Sequence, residues 1–290
     1  MTPAASFGIT LLITGAALLT LLAATFAVAL RLGRHSVVDT AWGLGIALAA
    51  TAALLASPGH GHPARRYLLL AASLLWGLRL AAHVTRRNHG HEDPRYRDLL
   101  SKAKGHPNLY ALRKIYLLQA AILWLATLPV QAGMLARAPA GPVTVIGAAL
   151  WTAGFAFETI GDWQLSRFKS DPARQGQIMD RGLWRYTRHP NYFGDFCMWW
   201  GLFLIALGSW AVLPTAVGPL LMTYILTRGT GQRLTDRRMA ATKPQYAAYA
   251  ARTSSFIPRP PRKSLFDLTN SGSCPGHVPP RPAPTRADAR

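Results

Sequence analysis

Long apolar stretches alternate with short basic ones along most of this chain. Residues 7–30 run for 24 positions without one charged side chain. That is enough for a helix to cross a hydrocarbon layer about 30 Å thick. No basic segment leads into the stretch and no small-residue cleavage site ends it, so it reads as a retained membrane helix rather than a signal peptide. Further apolar stretches follow at 37–57, 67–84, 115–135, 143–163, 191–206 and 210–226. The last two are short and meet at Gly208-Ser209, the pattern of a tight helical hairpin. Pro214 and Pro219 are tolerable there because neighbouring helices can satisfy the freed backbone groups. The pattern predicts an all-α, multi-pass membrane bundle of about seven transmembrane helices, with six as the alternative count.

Residues 1–260 read as one transmembrane domain. From residue 261 the chain turns to Pro, Arg, Ser and Gly. It carries too few large apolar side chains to offset the entropy of ordering, so 261–290 is expected to be a disordered tail. Between 229 and 255, Leu234, Met239, Tyr246 and Tyr249 suit a helix lying at the membrane surface.

Half the residues are hydrophobic and 15% are charged, against about a quarter charged in a soluble domain. The net charge of +20 suggests nucleic acid at first, but its placement argues against that partner. Arg31 and Arg34, eight cations from Arg86 to Lys114, six from Arg167 to Arg188 and twelve from Arg228 onward all fall on one side of the predicted bundle. The other side holds only Arg65, Arg66 and Arg137, and Arg79 lies within a span. This is the positive-inside asymmetry. It predicts an outside N-terminus and a cytoplasmic C-terminus. Cys197 falls in a span and Cys274 in the tail, so neither a disulfide nor a cysteine metal site is expected.

The segment from Gly182 to Asp195 places Arg185, Arg188, His189, Asn191, Tyr192 and Asp195 at the entrance of an apolar helix. Pro190 suits the first helical position, so the helix presents its free N–H groups and positive dipole end to the basic side. That is an anion-binding arrangement. Asn191 and Asp195 are one turn apart and share a face. A helix cap with orientation-setting arginines is the plainer reading, but it leaves Asn191, Tyr192 and Asp195 unexplained in an apolar helix. Asp39, Arg79 with His83, and Glu158 with Asp162 lie within spans, where an unpaired charge costs a few kcal/mol. They read equally as functional groups or as an internal ion-pair network, for instance Arg79 with Asp39 or Glu158. The loop carrying His89, His91, Glu92 and Asp93 has only two imidazoles and no cysteine, so no metal is expected. Gly43-Leu-Gly45 and Gly229-Thr-Gly231 follow no strand and are not dinucleotide fingerprints.

Arg188-His-Pro-Asn-Tyr-Phe-Gly-Asp195, followed by Trp199-Trp-Gly201, resembles the C-terminal signature shared by steroid 5α-reductases, sterol reductases and isoprenylcysteine carboxyl methyltransferases. Val38-Asp-Thr-Ala-Trp-Gly43, Glu92-Asp-Pro-Arg-Tyr96, Phe157-Glu158 with Asp162, and Tyr249 ahead of Phe256-Ile-Pro258 are similar to a bacterial, DUF1295-like branch of multi-pass proteins. The resemblance covers about residues 36–258 and implies a bacterial inner-membrane enzyme. In the reductases the asparagine and the acid of this signature contact NADPH, and Asn191 and Asp195 match them. The methyltransferases carry an aromatic residue after the glycine, so Asp195 favours a reductase. Arg233-Leu-Thr-Asp236 is an incomplete match to a further cofactor segment. The resemblance therefore implies a cofactor site of Arg185, Arg188, His189, Asn191, Tyr192, Asp195, Arg233, Asp236 and Tyr249. The reductases polarise an enone carbonyl with a glutamate and a tyrosine in the N-terminal half. No clear copy of that glutamate motif is present, and Asp39 and Tyr96, with Glu92 nearby, are the nearest catalytic candidates by position.

The leading expectation is an NADPH-dependent membrane oxidoreductase that reduces an activated C=C bond of a steroid- or isoprenoid-like lipid. An S-adenosylmethionine-dependent methyltransferase of a membrane-bound acceptor is the first alternative. A non-enzymatic lipid-binding membrane protein is the second.

Overall fold

A computed structural model describes residues 2–88, 92–229 and 231–262. His89, His91, Cys274 and the expected disordered tail beyond Arg262 lie outside the described residues.

The chain forms α1 (Pro3–Leu32), α2 (Val38–Ala56), α3 (Pro63–Arg87), α4 (Pro94–Leu100), α5 (Pro107–Ala111), α6 (Leu118–Ala126), α7 (Leu128–Gly133), α8 (Pro142–Lys169), α9 (Pro190–Ala206), α10 (Val217–Thr227), α11 (Gln232–Thr242) and α12 (Tyr246–Arg252). A wider-wound stretch, Leu112–Leu117, joins α5 to α6 without a break. Among the described residues there is no strand, only one isolated bridge between Thr187 and Ser254. Six helical runs are long and apolar enough to cross a bilayer, so the protein is a multi-pass helical membrane bundle. The expected seventh crossing, α9, has 17 residues, a length of about 25 Å. It is joined to α10 through a tight 3-10 stretch, Trp210–Ala216, that absorbs Pro214.

Prolines start many of these helices. Pro3, Pro63, Pro94, Pro107, Pro142 and Pro190 each occupy a first position, where the missing N–H costs nothing. On α1 the buried stripe is Ser6, Thr10, Thr14, Leu18 and Leu22, spaced one helical turn apart. The hydroxyls return hydrogen bonds to their own helix, and Thr14 also donates to Gln131 Oε1 at 2.7 Å. The rest of α1 is apolar and outward-facing, with Leu12 75% exposed, as expected of a lipid-facing surface.

Glycines set the close contact of α8 with α9. Gly147, Gly154 and Gly161 lie on the face of α8 that meets α9. A Cβ at Gly154 would sit 2.6 Å from the Gly194 carbonyl oxygen, and one at Gly161 would sit 3.2 Å from the Pro190 ring. Small residues allow this approach where there is no hydrophobic drive between helices in lipid. At the core, Trp76 and Trp199 meet edge to face at 4.8 Å.

The two ends of the bundle differ in charge. At one end lie residues 33–37, 92–106, 170–189 and the described residues after Thr227, with most of the described cations. At the other end Arg65 is 2% exposed and binds the Ile205 carbonyl at 2.9 Å and the Pro139 carbonyl at 3.1 Å. It serves there as a staple between connections.

Candidate functional site

The segment that leads into α9 is fixed from two sides. Gly182 adopts φ 57°, which lets the chain turn against α8. There the Leu183 amide donates to Gln164 Oε1 at 3.0 Å and the Trp184 indole donates to the Gly161 carbonyl at 3.0 Å. From the other side the segment after α12 acts as a strap. The Arg188 amide donates to the Ser254 carbonyl at 2.9 Å, and the Thr187 hydroxyl donates to the Phe256 carbonyl at 2.8 Å. Pro190 is the first residue of α9, as its chemistry predicts. The helix start is served largely by its own side chains. The Tyr192 amide donates to Asn191 Oδ1 at 3.0 Å and the His189 amide to Thr187 Oγ1 at 3.3 Å.

Asp236 on α11 gathers this region. It accepts from Arg188 at 2.9 Å, from His189 Nε2 at 2.7 Å and from the Tyr246 hydroxyl. Both its oxygens are thus committed within the protein, and Asp236 lines neither lobe of the cleft described next. Burial, followed by the hydrogen bond to the Asp236 carboxylate, raises the Tyr246 hydroxyl above its ordinary pKa. Burial, followed by the neighbouring Tyr246, does the same for Tyr249, whose hydroxyl donates to the Trp184 carbonyl at 2.6 Å.

A two-lobed cleft opens around the start of α9. The outer lobe, about 450 Å³, is basic and aromatic: Arg87, Lys169, Arg174, Arg188 and Lys243 share its wall with Phe168, Trp184, Tyr192, Tyr246 and Tyr249. The inner lobe, about 620 Å³, is lined by Asn191, Tyr192 and Asp195 together with Asp39, Glu158 and Asp162. Its apolar wall includes Trp42, Leu80, Met222 and Ile225. Arg87, Lys169, Asn191 and Tyr192 line both lobes, so the two lobes adjoin across a shared wall. Asn191 and Asp195 share a face of α9, as their spacing predicts, and that face looks into the inner lobe.

Two charge clusters line the inner lobe. Arg79 bridges Glu158 at 2.6 Å and Asp162 at 2.7 Å, and the Trp76 indole donates to Glu158 at 2.9 Å. Asn191 Nδ2 donates to Asp162 at 3.4 Å. Of the two partners proposed for Arg79, Glu158 is the one found. Asp39 instead takes Arg95 at 2.8 Å, and Arg95 also binds Asp93 at 2.9 Å. The Tyr96 hydroxyl donates to Asp39. Tyr96 is buried, and that burial, with the Asp39 charge beside it, lifts its hydroxyl well above the ordinary value. Burial works to raise the Asp93 carboxyl, but the hydrogen bonds from Arg95 outweigh it and hold the group below its usual range.

The remaining expected site residues lie elsewhere. Glu92 is not turned to the cleft: its carboxylate accepts the backbone amides of His35, of Ser36 at 2.9 Å and of Asp93 at 3.1 Å. It pins the following loop to the start of α2. Arg185 and Arg233 are exposed and line neither lobe. Conversely, Arg87, Lys169, Arg174 and Lys243 were indistinguishable by sequence from the other orientation-setting cations. Arg95 stood next to a named candidate, but nothing local marked it as the partner of Asp39.

No curated protein and no solved structure matches the chain. A family model described as "Protein of unknown function (DUF1295)" matches residues 25–253, and the chain belongs to that family.

Proposed function

We propose that this protein is an integral membrane oxidoreductase that reduces an activated C=C bond of a steroid- or isoprenoid-like lipid with NADPH. The observation that carries the reading is the pair of adjoining lobes, one basic and aromatic, the other carboxylate-lined and apolar. In this reading the protein sits in a bacterial inner membrane with its basic mouth toward the cytoplasm, the side the positive-inside rule favours.

The outer lobe fits a phosphorylated dinucleotide. Its five cations suit phosphates, and its aromatic side chains offer faces for a base. Arg87, Arg174, Arg188, Lys169 and Lys243 would hold the phosphates, and Asn191 and Tyr192 would guide the reactive end inward. NADPH when bound supplies a hydride with its electron pair. Trp42, Leu80, Met222 and Ile225 would hold the lipid. Asp39 accepts a hydrogen bond from the Tyr96 hydroxyl and holds the Arg95 guanidinium at the inner lobe, a donor suited to polarising a conjugated carbonyl. Pockets of several hundred Å³ between helices are common ligand sites.

A second reading, an S-adenosylmethionine-dependent methyltransferase, is favoured by the surplus of carboxylates over cations deep in the inner lobe, which suits a sulfonium. Thermal unfolding of the purified protein in mild detergent separates the readings. NADPH is expected to raise the midpoint. Stabilisation by S-adenosylmethionine alone would overturn the reductase reading, and no response to either would favour a lipid-binding protein without catalysis.

A further inference from the structure

We infer that Asp195 is held as a neutral carboxylic acid and is the proton donor of the inner lobe. The inference rests on the reductase reading for its catalytic half and on the charges around Asp195 for the rest.

Glu158, Asp162 and Asp195 line the same deep part of the inner lobe. One guanidinium serves the first two, at 2.6 Å and 2.7 Å. Glu158 also takes the Trp76 indole and Asp162 the Asn191 amide, so each has donors of its own. Asp195 makes no ion pair among the described residues. Its helix is nevertheless pressed against that of Glu158: a Cβ on Gly194 would lie 2.6 Å from the Glu158 amide nitrogen.

The other charged groups facing the lobe offer Asp195 no cation. His83 on α3 lies 3.6 Å from Asp162. Arg95 is shared by Asp39 and Asp93, and Arg238 binds Asp98. Arg87 and Lys169 belong to the wall shared with the outer lobe. A third negative charge here would face two others across one guanidinium, between membrane helices. A proton on Asp195 removes that charge and leaves an O–H lining the cavity.

Reduction of a C=C bond consumes one hydride and one proton. A bound dihydronicotinamide would supply the hydride with its electron pair for one C–H bond and would itself be oxidised to the nicotinamide. The π pair left on the other carbon takes the Asp195 proton as the Asp195 O–H bond breaks. The carboxylate is then reprotonated by water from the cleft.

Infrared spectroscopy of the full-length protein in detergent near neutral pH tests this, because ordinary Asp and Glu, with pKa near ~4, are ionised there. A carboxylic-acid C=O stretch that shifts on deuterium exchange is expected in the wild type and is expected to vanish in Asp195→Asn. The same variant, a neutral isostere, should bind NADPH within about threefold of wild type and reduce substrate at least ~100-fold more slowly. Absence of the band from the wild type, or its survival in Asp195→Asn, would overturn the inference. So would a tenfold loss of NADPH affinity in that variant, which would make Asp195 an ionised ligand contact. Should Asp195→Asn not fold, Glu158→Gln removes one of the repelling charges, and the band should then titrate away at lower pH than in wild type. An unchanged titration counts against the inference. If NADPH does not bind the wild type at all, the reductase reading falls, and the infrared result still decides whether Asp195 holds the proton.

Discussion

Asp236 accepts the Nε2 hydrogen of His189 at 2.7 Å across 47 residues of sequence. The contact ties α11 to the cap of α9, and the His189 ring stacks in turn on Tyr192 at 5.2 Å. A surface helix thereby sets the geometry of a cleft wall in the membrane domain.

Asp236→Asn weakens the charge-assisted bonds to Arg188 and His189 together. Such bonds contribute about 1.5–3 kcal/mol each, and Asp236 is only partly screened. The variant should unfold several degrees lower in detergent and lose NADPH stabilisation although Asp236 lines neither lobe. An unchanged unfolding midpoint would mean that the tether is not structural.

Asn191→Ala removes the cap of the Tyr192 amide and the donor to Asp162. If the cleft binds NADPH, its affinity should fall at least ~10-fold, the equivalent of one lost polar contact of ~1.4 kcal/mol. Lys169→Gln and Lys243→Gln should weaken binding several-fold each and flatten its salt dependence. Isothermal titration at two salt concentrations reads both effects.

Arg79→Ala strands two carboxylates between helices. Loss of one partner of a buried ion pair costs about 3–5 kcal/mol, so this variant should be the least stable of those named here. Glu158→Gln with Asp162→Asn in the Arg79→Ala background should recover much of the loss, since no charge is then left unpaired. Denaturant unfolding of the single and combined variants measures the recovery.

Gly154→Val drives a side chain into the Gly194 carbonyl, 2.6 Å from the position of a Cβ at Gly154. Overpacking of this kind costs about 1–3 kcal/mol. Gly8 on the lipid-facing helix has open space around it, so Gly8→Ala should be neutral or slightly stabilising. Thermal midpoints of the two variants compare a packed glycine with a free one.

Tyr96, Tyr246 and Tyr249 have hydroxyls raised above the ordinary value. Folding therefore favours their protonated forms. Their contribution is fully present below the unfolded value of about 10 and is lost as pH rises from there through the higher folded values. Tyrosinate absorbance should show a late-titrating class in the folded protein that merges with the rest on unfolding. Stability should fall through the same alkaline window, and less steeply in Tyr246→Phe.

Apolar runs, loop charges and helix-starting prolines are local properties, and each could be read along the chain. They foretold the membrane bundle, its charge asymmetry, the start of α9 at Pro190 and the shared face of Asn191 and Asp195. Partner choice is not local. Arg79 meets Glu158 and Asp162 across 79 and 83 residues because glycine-lined packing brings α8 and α9 together beside α3. Asp39 goes to Arg95 instead because Glu92 pins the intervening loop to α2. The cleft cations looked like any other positive-inside residues, since a charge count records the side of the membrane and not the direction of a side chain. Only the folded chain separates Lys169 and Arg174, which line the cleft, from Arg185 and Arg233, which face away from it.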